Sequence, residues 1–266
     1  MTLQGQKGDI TMTGLIKAKI LKNDEISPGI YDLHLMSEKF TREGFPGKFV
    51  NIYLENSLHI LPRPISICQS NAREKSLRLI YGLVGKGTRI MAQKKTGDEL
   101  MVLGPLGNGF SLDKAGKKNL LIAGGLGVPP LLELAKNLQG HTTAYLGFKK
   151  DPILVEEFSQ YVDKVHVATE DGGSGFKGNV LDLLRDHKPG ADIFYSCGPK
   201  PMLKAIQEWA RENSMEGELS VEERMACGIG ACLVCTCKIA GDGGGDWTYK
   251  RVCKDGPVFS RDEVIW

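Results

Sequence analysis

The 266-residue sequence predicts a β-barrel followed by an α/β unit with a Rossmann-like parallel sheet and a small cysteine-rich C-terminal segment. Short apolar–polar alternation dominates residues 1–115, which is typical of antiparallel strands. Strands alternate with amphipathic helices over residues 116–217, which favours a parallel sheet with right-handed crossovers. Residues 218–266 are rich in glycine and cysteine, and so short a segment needs a staple.

Composition and charge exclude several classes of protein. With 34 basic and 32 acidic side chains the net charge is only +2, so no field of one sign favours nucleic acid or an anionic membrane surface. Residues 1–13 form a polar tail without the apolar core of a signal peptide, and no run of about eighteen apolar residues could span a bilayer. We therefore expect a cytoplasmic protein whose partners are small molecules and other proteins.

Short segments with period-two alternation are expected to form the antiparallel barrel. Pro-Gly and Asn-Ala pairs, which favour turns, separate them. The predicted strands are 15–21, 30–36, 49–54, 65–69, 76–83 and 99–103. A helix is expected over 89–95, directly after the glycine-rich turn 85–88.

Apolar strands and amphipathic helices alternate in the second unit. The predicted strands are 119–123, 143–146, 164–169 and 192–196, and the predicted helices are 128–138, 152–161, 180–186 and 201–212. Sheets of this kind bind ligands at the carboxyl ends of their strands. The glycine-rich residues 124–127 occupy such a position, although Pro130 stands where a third Rossmann glycine would be.

Cysteines near the C-terminus carry the strongest chemical signal. Cys227, Cys232, Cys235 and Cys253 follow the pattern C-x4-C-x2-C-x17-C, the plant-type spacing that holds a [2Fe-2S] cluster. The intervening residues are small or apolar, so a loop can fold tightly over inorganic sulfide. A zinc ion is the alternative, but zinc ribbons usually pair two C-x2-C knuckles. Disulfides are disfavoured because seven cysteines cannot all pair.

The barrel contains a candidate anion site. Arg63 and Ser66 lie at the start of a predicted strand, where a permanent cation and a hydroxyl could hold a pyrophosphate and a polar ring edge. The turn 85–88 leads from a strand into a helix and offers backbone N–H groups to an anion. The alternative is a solvated arginine beside an incidental serine.

Together these segments resemble the ferredoxin–NADP reductase superfamily, in which an R-x-x-S strand binds FAD and a G-x-G-T turn supports its phosphates. The resemblance implies an FAD-binding barrel. The residues implied to contact FAD are Arg63, Pro64, Ile65, Ser66, Ile80, Tyr81, Gly82, Gly87 and Thr88. Tyr81 is alternatively an ordinary aromatic of the barrel core.

The resemblance extends to the α/β unit and implies an NAD site there. Residues 196–199 with Met202 resemble the superfamily signature C-G-P-x-x-M, whose cysteine lies beside the nicotinamide and the flavin, so Cys197 is the implied catalytic residue. The other implied contacts are Gly124, Gly125, Gly127, Glu170, Asp171, Gly198 and Pro199. The alternatives are a plain strand-to-helix turn and a small buried cysteine, and two lysines at 149–150 leave NADP open.

Residues 220–232 and 250–259 are similar to the electron-transfer subunit of type B dihydroorotate dehydrogenase, a likeness that covers nearly the whole chain. It implies FAD and a [2Fe-2S] cluster in this chain, with NAD as substrate. It also implies an FMN-containing catalytic subunit that oxidises dihydroorotate to orotate in pyrimidine biosynthesis, in an assembly with two copies of each subunit.

Other interpretations stay open at this point. One is the reductase of an oxygenase, or a subunit of a sulfide or NADPH–ferredoxin oxidoreductase, although relatives of the latter kind often carry aspartate where this chain has Cys227. Another is a zinc-stapled binding module without redox chemistry. Cys68 and Cys237 fit no motif and are expected to be buried or spare thiols.

Overall fold

The computed structural model describes residues 14–39, 45–54, 60–241 and 246–266. The predicted polar tail, residues 1–13, lies outside them. The described residues form a closed antiparallel barrel, a seven-stranded sheet and a three-stranded sheet. The predicted fold class is confirmed.

The antiparallel barrel contains every strand that the alternation predicts. Its described strands are β1 (Gly14–Ser27), β2 (Ile30–Met36), β3 (Phe49–Tyr53), β4 (Arg63–Asn71), β5 (Ser76–Gly82) and β6 (Glu99–Leu106). They close in the order β1-β2-β5-β4-β3-β6 around an apolar interior. Helix α1 (Lys86–Gln93) begins earlier than predicted, because the glycine-rich turn already forms its first turn.

The next elements alternate between strands and helices. The strands are β7 (Lys118–Gly124), β8 (His141–Phe148), β9 (Lys164–Thr169), β10 (Phe176–Lys177), β11 (Ile193–Cys197) and β12 (Glu216–Ser220). The helices are α2 (Val128–Asn137), α3 (Val155–Phe158), α4 (Val180–His187) and α5 (Lys200–Glu212), with a 3-10 turn at Gly125–Gly127. None of the helices described is long and apolar enough to cross a bilayer.

Helix α3 is shorter than the sequence pattern predicts. A helix over 152–161 is expected from the sequence, but only four residues are helical. Asp151 and Leu154 have φ angles of 49° and 62°, in the left-handed region that a right-handed helix cannot include. The chain therefore cannot start the helix before Val155.

The C-terminal strands join two different sheets. They are β13 (Thr236–Ala240), β14 (Trp247–Arg251), β15 (Val258–Ser260) and β16 (Val264–Ile265). Strand β15 pairs antiparallel with β12 and extends the large sheet, whose order is β10-β9-β8-β7-β11-β12-β15. The boundary expected between residues 217 and 218 thus falls inside β12, and the domain limits stay a prediction.

The barrel and the large sheet share an apolar core. Cys68 on β4 and Ile80 on β5 pack in one cluster with Val128 and Leu131 of α2. Because Cys68 is completely buried in this shared core, the expectation of a buried thiol is met. Cys237 on β13 is 9% exposed.

Candidate functional site

Arg63 and Gly87, two residues implied to bind FAD, lie in contact with each other, the first at the start of β4 and the second at the start of α1. A Cβ atom added to Gly87 would lie 2.0 Å from Nε of Arg63, so the guanidinium lies against backbone that has no side chain. Arg63 also donates hydrogen bonds to the carbonyls of Leu61 and Pro62. A permanent cation beside the first N–H groups of a helix is a favourable place for a phosphate group.

Thr88 shapes the turn that precedes α1. Its Oγ1 accepts hydrogen bonds from the N–H groups of Val84 (3.1 Å) and Gly85 (3.2 Å) and donates one to the Gly85 carbonyl (3.1 Å). The side chain is therefore used within the turn. It holds the backbone in the conformation that a phosphate would meet.

Strand β5 presents its side chains to two cores. Tyr81 is 1% exposed inside the barrel; its hydroxyl donates to Oδ1 of Asn23 (3.0 Å) and its ring stacks on Tyr31 at 5.6 Å. Burial raises the pKa of Tyr81. Ile80 belongs to the shared core. Both side chains are thus engaged in packing, which favours the core interpretation of Tyr81 and leaves the strand's backbone to face a ligand.

The loops after β7 and β11 are packed together at the carboxyl edge of the sheet. These neighbouring strands lie where the strand order reverses, the place where such sheets bind ligands. A Cβ atom at Gly127 would lie 2.2 Å from the Cys197 carbonyl, and one at Gly124 would lie 2.4 Å from Sδ of Met202. The glycines are required by this close packing, and Gly125 adds a left-handed φ of 53°.

Cys197 is 2% exposed at the end of β11. Burial, helped by the nearby Glu222 carboxylate, raises the pKa of the Cys197 thiol to about 12. The thiol is therefore protonated at neutral pH, which excludes it as a thiolate nucleophile. What it offers is a small, neutral, polarisable surface.

Glu170 and Asp171 lie apart from Cys197 on the same sheet edge. They follow β9, which is separated from β7 by β8. Their N–H groups donate to the carbonyls of Phe148 (3.1 Å) and Lys149 (3.4 Å), and both residues are exposed. They could reach only the far end of a dinucleotide whose nicotinamide lies at Cys197.

The end of the barrel strand β5 touches the glycine loop of the α/β unit. A Cβ atom at Gly82 would lie 2.9 Å from Cδ1 of Leu126. The candidate flavin face and the candidate nucleotide loop therefore share a boundary. This arrangement would let the reacting rings of the two cofactors approach each other.

The cysteines of the C-terminal motif form two neighbouring pairs. Sγ of Cys227 accepts hydrogen bonds from the N–H groups of Ala231 (3.3 Å) and Cys232 (3.4 Å). Sγ of Cys235 accepts one from the N–H of Cys253 (3.4 Å). Gly228 and Gly230 make this possible, because their φ angles of 72° and 82° turn the backbone N–H groups inward.

The pairing of the thiols suits an iron–sulfur cluster, because two thiol pairs match two irons. Burial opposes ionisation of Cys227, but backbone N–H groups led by that of Ile229 lower its pKa to about 6. Burial and the neighbouring Cys235 raise the pKa of Cys253 to about 12.

Asn51 joins the cysteine loop to the barrel. Its Nδ2 donates to the Cys227 carbonyl (3.3 Å), and a Cβ atom at Gly228 would lie 2.1 Å from the same nitrogen. Asn51 is completely buried on β3, opposite Pro64 of β4. Its Oδ1 has no partner in the part of the chain that the structure describes. Sequence reasoning missed this residue, although one amide within the apolar strand Phe49–Tyr53 is a usable signal.

The outer rim of the cysteine loop is apolar and accessible. Cys232 is exposed, and its neighbours Ile229, Leu233 and Val234 are 53%, 62% and 54% exposed. Large exposed apolar groups clustered at one point are typical of protein interaction surfaces.

Comparisons with known proteins agree with this geometry. Residues 222–265 match the iron-sulfur cluster binding domain of dihydroorotate dehydrogenase B. A relative from Geobacillus sp. (strain WCH70), described as "Dihydroorotate dehydrogenase B (NAD(+)), electron transfer subunit", is 41% identical over 254 residues, 92% of this chain and 96% of that protein. One from Lysinibacillus sphaericus with the same description is 42% identical over 93% of this chain and 97% of its own length.

Solved structures share the fold. A chain of the NADH-dependent reduced ferredoxin-NADP oxidoreductase has a TM-score of 0.83 and 31% identity, covering 96% of this chain and 92% of that chain. A ferredoxin NADP+ reductase from Neisseria gonorrhoeae has a TM-score of 0.63 at 17% identity, over 74% of this chain and 91% of that one; its likeness shows the fold alone. By its full-length relatives and its iron–sulfur domain, the chain belongs to the family of electron transfer subunits of dihydroorotate dehydrogenase B.

Proposed function

We propose that this chain binds FAD, a [2Fe-2S] cluster and NAD, and passes electrons between NAD and a dihydroorotate-oxidising partner. Flavin is the group that exchanges hydride with NAD and single electrons with an iron–sulfur centre. The contiguity of the three candidate sites carries the proposal. Gly82 of β5 touches Leu126 of the nucleotide loop, and Asn51 of β3, which lies opposite Pro64 of β4, holds the Cys227 turn.

The flavin is held between β4, the end of β5 and the start of α1. Arg63 and the first N–H groups of α1 bind the pyrophosphate, while Gly87 leaves room for the guanidinium. Pro64 and Ser66, on one face of β4, line the flavin together with the backbone of Ile65, Ile80, Tyr81 and Gly82, while the Ile65 side chain packs against the barrel core. Thr88 fixes the turn.

NAD binds along the carboxyl edge of the large sheet. Backbone at Gly124, Gly125 and Gly127 approaches its pyrophosphate, and α2 begins directly after this loop. The protonated Cys197, followed by Gly198 and Pro199, packs beside the nicotinamide and excludes water from it. Glu170 and Asp171 meet the adenosine ribose, where a carboxylate favours a 2′-hydroxyl over a 2′-phosphate.

The cysteine pairs hold the two irons of the cluster. Cys227 and Cys232 bind one iron, and Cys235 and Cys253 bind the other, in keeping with their hydrogen bonds. When bound, the cluster would supply one-electron chemistry. The protein contributes backbone N–H groups to the thiolate sulfurs, and such groups are among the factors that set a cluster's reduction potential.

The partner is an FMN-containing catalytic subunit that oxidises dihydroorotate to orotate in pyrimidine biosynthesis, with two copies of each subunit. It docks on the apolar rim formed by Ile229, Cys232, Leu233 and Val234. The complex belongs in the cytoplasm. None of the seven cysteines, all in the described part of the chain, is in a disulfide, which is typical of a reducing compartment.

A second candidate function is that of a subunit of an NAD(P)H–ferredoxin oxidoreductase. The likeness to the NADH-dependent reduced ferredoxin-NADP oxidoreductase chain over 96% of this sequence favours it. Cys227 favours the dihydroorotate dehydrogenase subunit, because ferredoxin oxidoreductase subunits often have aspartate at this position.

Co-expression with a dihydroorotate-oxidising subunit tests the proposal. We expect a stable complex that contains FMN, FAD, iron and sulfide and that reduces NAD with dihydroorotate. Leu233→Ser, which makes the rim polar, should weaken the complex without loss of iron. Failure of the unsubstituted chains to co-purify, with reduction of ferredoxin instead, would favour the second candidate.

A further inference from the structure

One helix and one strand connect the two sites between which hydride must pass. Helix α2 starts at the glycine loop, and β4 starts at Arg63. Further along these elements, Glu133 of α2 meets Ser70 of β4. Glu133 is completely buried and Ser70 is 1% exposed, so their contact lies inside the molecule between the barrel and the large sheet.

Helix α2 engages every polar atom of Ser70. The two carboxylate oxygens of Glu133 accept hydrogen bonds from the Ser70 hydroxyl (2.7 Å) and the Ser70 N–H (3.1 Å). One turn further along α2, Nζ of Lys136 donates to the Ser70 carbonyl (3.3 Å). Because Glu133 binds both the hydroxyl and the N–H of Ser70, the contact restrains rotation of α2 relative to β4 as well as their separation.

The surrounding packing makes this contact rigid. The pairing of β4 with β5 shifts register between Ile67 and Gln69, and such bulges re-aim side chains locally. At the bulge, Cys68 packs into the shared core with Leu131 of α2. A buried contact with two hydrogen bonds, beside close-packed apolar groups, resists sliding of one element over the other.

Both cofactor sites lie close to this contact along the chain. Glu133 is roughly 9 Å along α2 from Gly127, at about 1.5 Å per residue. Ser70 is roughly 13 Å along β4 from Ser66, at about 3.3 Å per residue. A small shift of α2 against β4 would thus move the nicotinamide site relative to the flavin site.

We propose that Glu133 is a positioning residue for hydride transfer: through Ser70 it fixes the helix that carries NAD against the strand that carries FAD. The inference rests on the proposed NAD and FAD sites. Glu133 touches neither cofactor. Its effect is on the distance and angle between the two rings, on which hydride transfer depends steeply because a misplacement of about 1 Å can cost about a hundredfold in rate.

Glu133→Gln in the protein loaded with FAD and cluster tests this role. A glutamine offers one acceptor oxygen in place of two, so the Ser70 hydroxyl can keep a bond only by turning to accept one from the new NH2 group, which rearranges the contact. Mixed with saturating NADH, the variant should reduce its flavin at least about tenfold more slowly, as expected for a misaligned bound pair. FAD content, iron content and the dissociation constant for NAD should stay within about twofold, while the long-wavelength charge-transfer absorbance of the NADH–flavin pair should fall.

Glu157→Gln is the matched control. Glu157 also links the α/β unit to the barrel, through Nη2 of Arg78 at 3.4 Å, but it lies on α3, which carries no cofactor loop. Its flavin reduction should stay within about twofold of the unsubstituted rate, because no cofactor site depends on α3 for its position. Ser70→Ala, which keeps the N–H bond, serves if Glu133→Gln does not fold and should give a smaller slowing of the same kind.

Two outcomes overturn the inference. One is a Glu133→Gln variant, or a Ser70→Ala variant, that loses thermal stability but keeps its rate of flavin reduction. The other is an equal slowing in Glu157→Gln. If the unsubstituted protein itself fails to reduce FAD with NADH, the proposed function fails instead, so the two failures are distinguishable.

Discussion

The nucleotide loop at Gly124–Gly127 and the cysteine loop at residues 222–235 are held in shape by different means. The first lies between β7, α2 and the loop that follows Cys197, and its backbone packs so closely against that loop that a side chain at Gly127 would not fit. The second contains neither helix nor strand. It is held by N–H groups on sulfur and by Asn51. The proposed nucleotide site is therefore formed by the fold itself, whereas the proposed cluster site would gain stability from the metal that it is expected to bind.

Cys232→Ser should give the largest effect and should separate the two regions. Loss of one thiolate from an exposed loop without regular structure should abolish the cluster. Flavin reduction by NADH should remain near the unsubstituted rate, because hydride transfer uses the other region. Iron and sulfide analysis with stopped-flow flavin absorbance measures both. Loss of the cluster together with loss of flavin reduction would contradict the separation of the two regions.

Gly127→Ala should damage the nucleotide region alone. The added Cβ would lie 2.2 Å from the Cys197 carbonyl, so either the loop or β11 must move. Overpacking of this kind costs about 1–3 kcal/mol of folding stability. Because the loop that must move is the one proposed to meet the pyrophosphate, NADH affinity should fall as well, by about tenfold for each ~1.4 kcal/mol of contact that is lost. Cluster content should not change. Gly190→Ala, where an added Cβ meets nothing within 4 Å, is the control and should bind NADH normally.

Gly87→Ala should weaken FAD binding, with Gly85→Ala as its control on the same turn. An added Cβ at Gly87 must displace the Arg63 guanidinium, whereas one at Gly85 meets nothing within 4 Å. Loss of a charge-assisted contact costs about 1.5–3 kcal/mol, so FAD affinity should fall by roughly ten- to a hundredfold. Equal FAD retention in both variants, measured after gel filtration, would remove Arg63 from the site.

Asn51→Ala should loosen the cysteine loop where it meets the barrel. One hydrogen bond is worth about 0.5–1.5 kcal/mol, so the cluster should still form but should be lost to a chelator a few times faster. NADH should reduce the flavin at the normal rate. If iron release by the variant matched that of the unsubstituted protein, the contact would not stabilise the loop.

The smallest expected effect is a difference between Cys227 and Cys253 in how their alkylation depends on pH. In iron-free protein the pKa of Cys227 is lowered to about 6 and that of Cys253 is raised to about 12. Alkylation of Cys227 should therefore rise between about pH 5 and 7 and then level off, since the thiolate is the nucleophile. Cys253 should stay unreactive throughout that range. Mass spectrometry of the labelled peptides reads both sites, and equal labelling would contradict the asymmetry.

The sequence predicted best what depends on local pattern. Strand periodicity and the cysteine spacing are short-range signals. Gly127 and Gly87 indicate that another part of the chain packs closely against the backbone at these positions, even though the sequence does not say which part. It missed Asn51 and the Glu133–Ser70 contact, because their partners are 176 and 63 residues away. A single acidic residue in the apolar run Val128–Ala135 was a usable signal. The sequence also could not decide whether the Tyr81 side chain points into the barrel, because this depends on which face of β5 meets the barrel interior.

The central claim is that electrons move between NADH and the cluster only through the flavin. Rapid freezing of the anaerobic, fully loaded protein after mixing with NADH, followed by electron paramagnetic resonance, tests it directly. We expect the signal of a reduced [2Fe-2S] centre to appear after flavin reduction, and we expect none in protein stripped of FAD. A signal of equal size and rate without FAD would contradict the account.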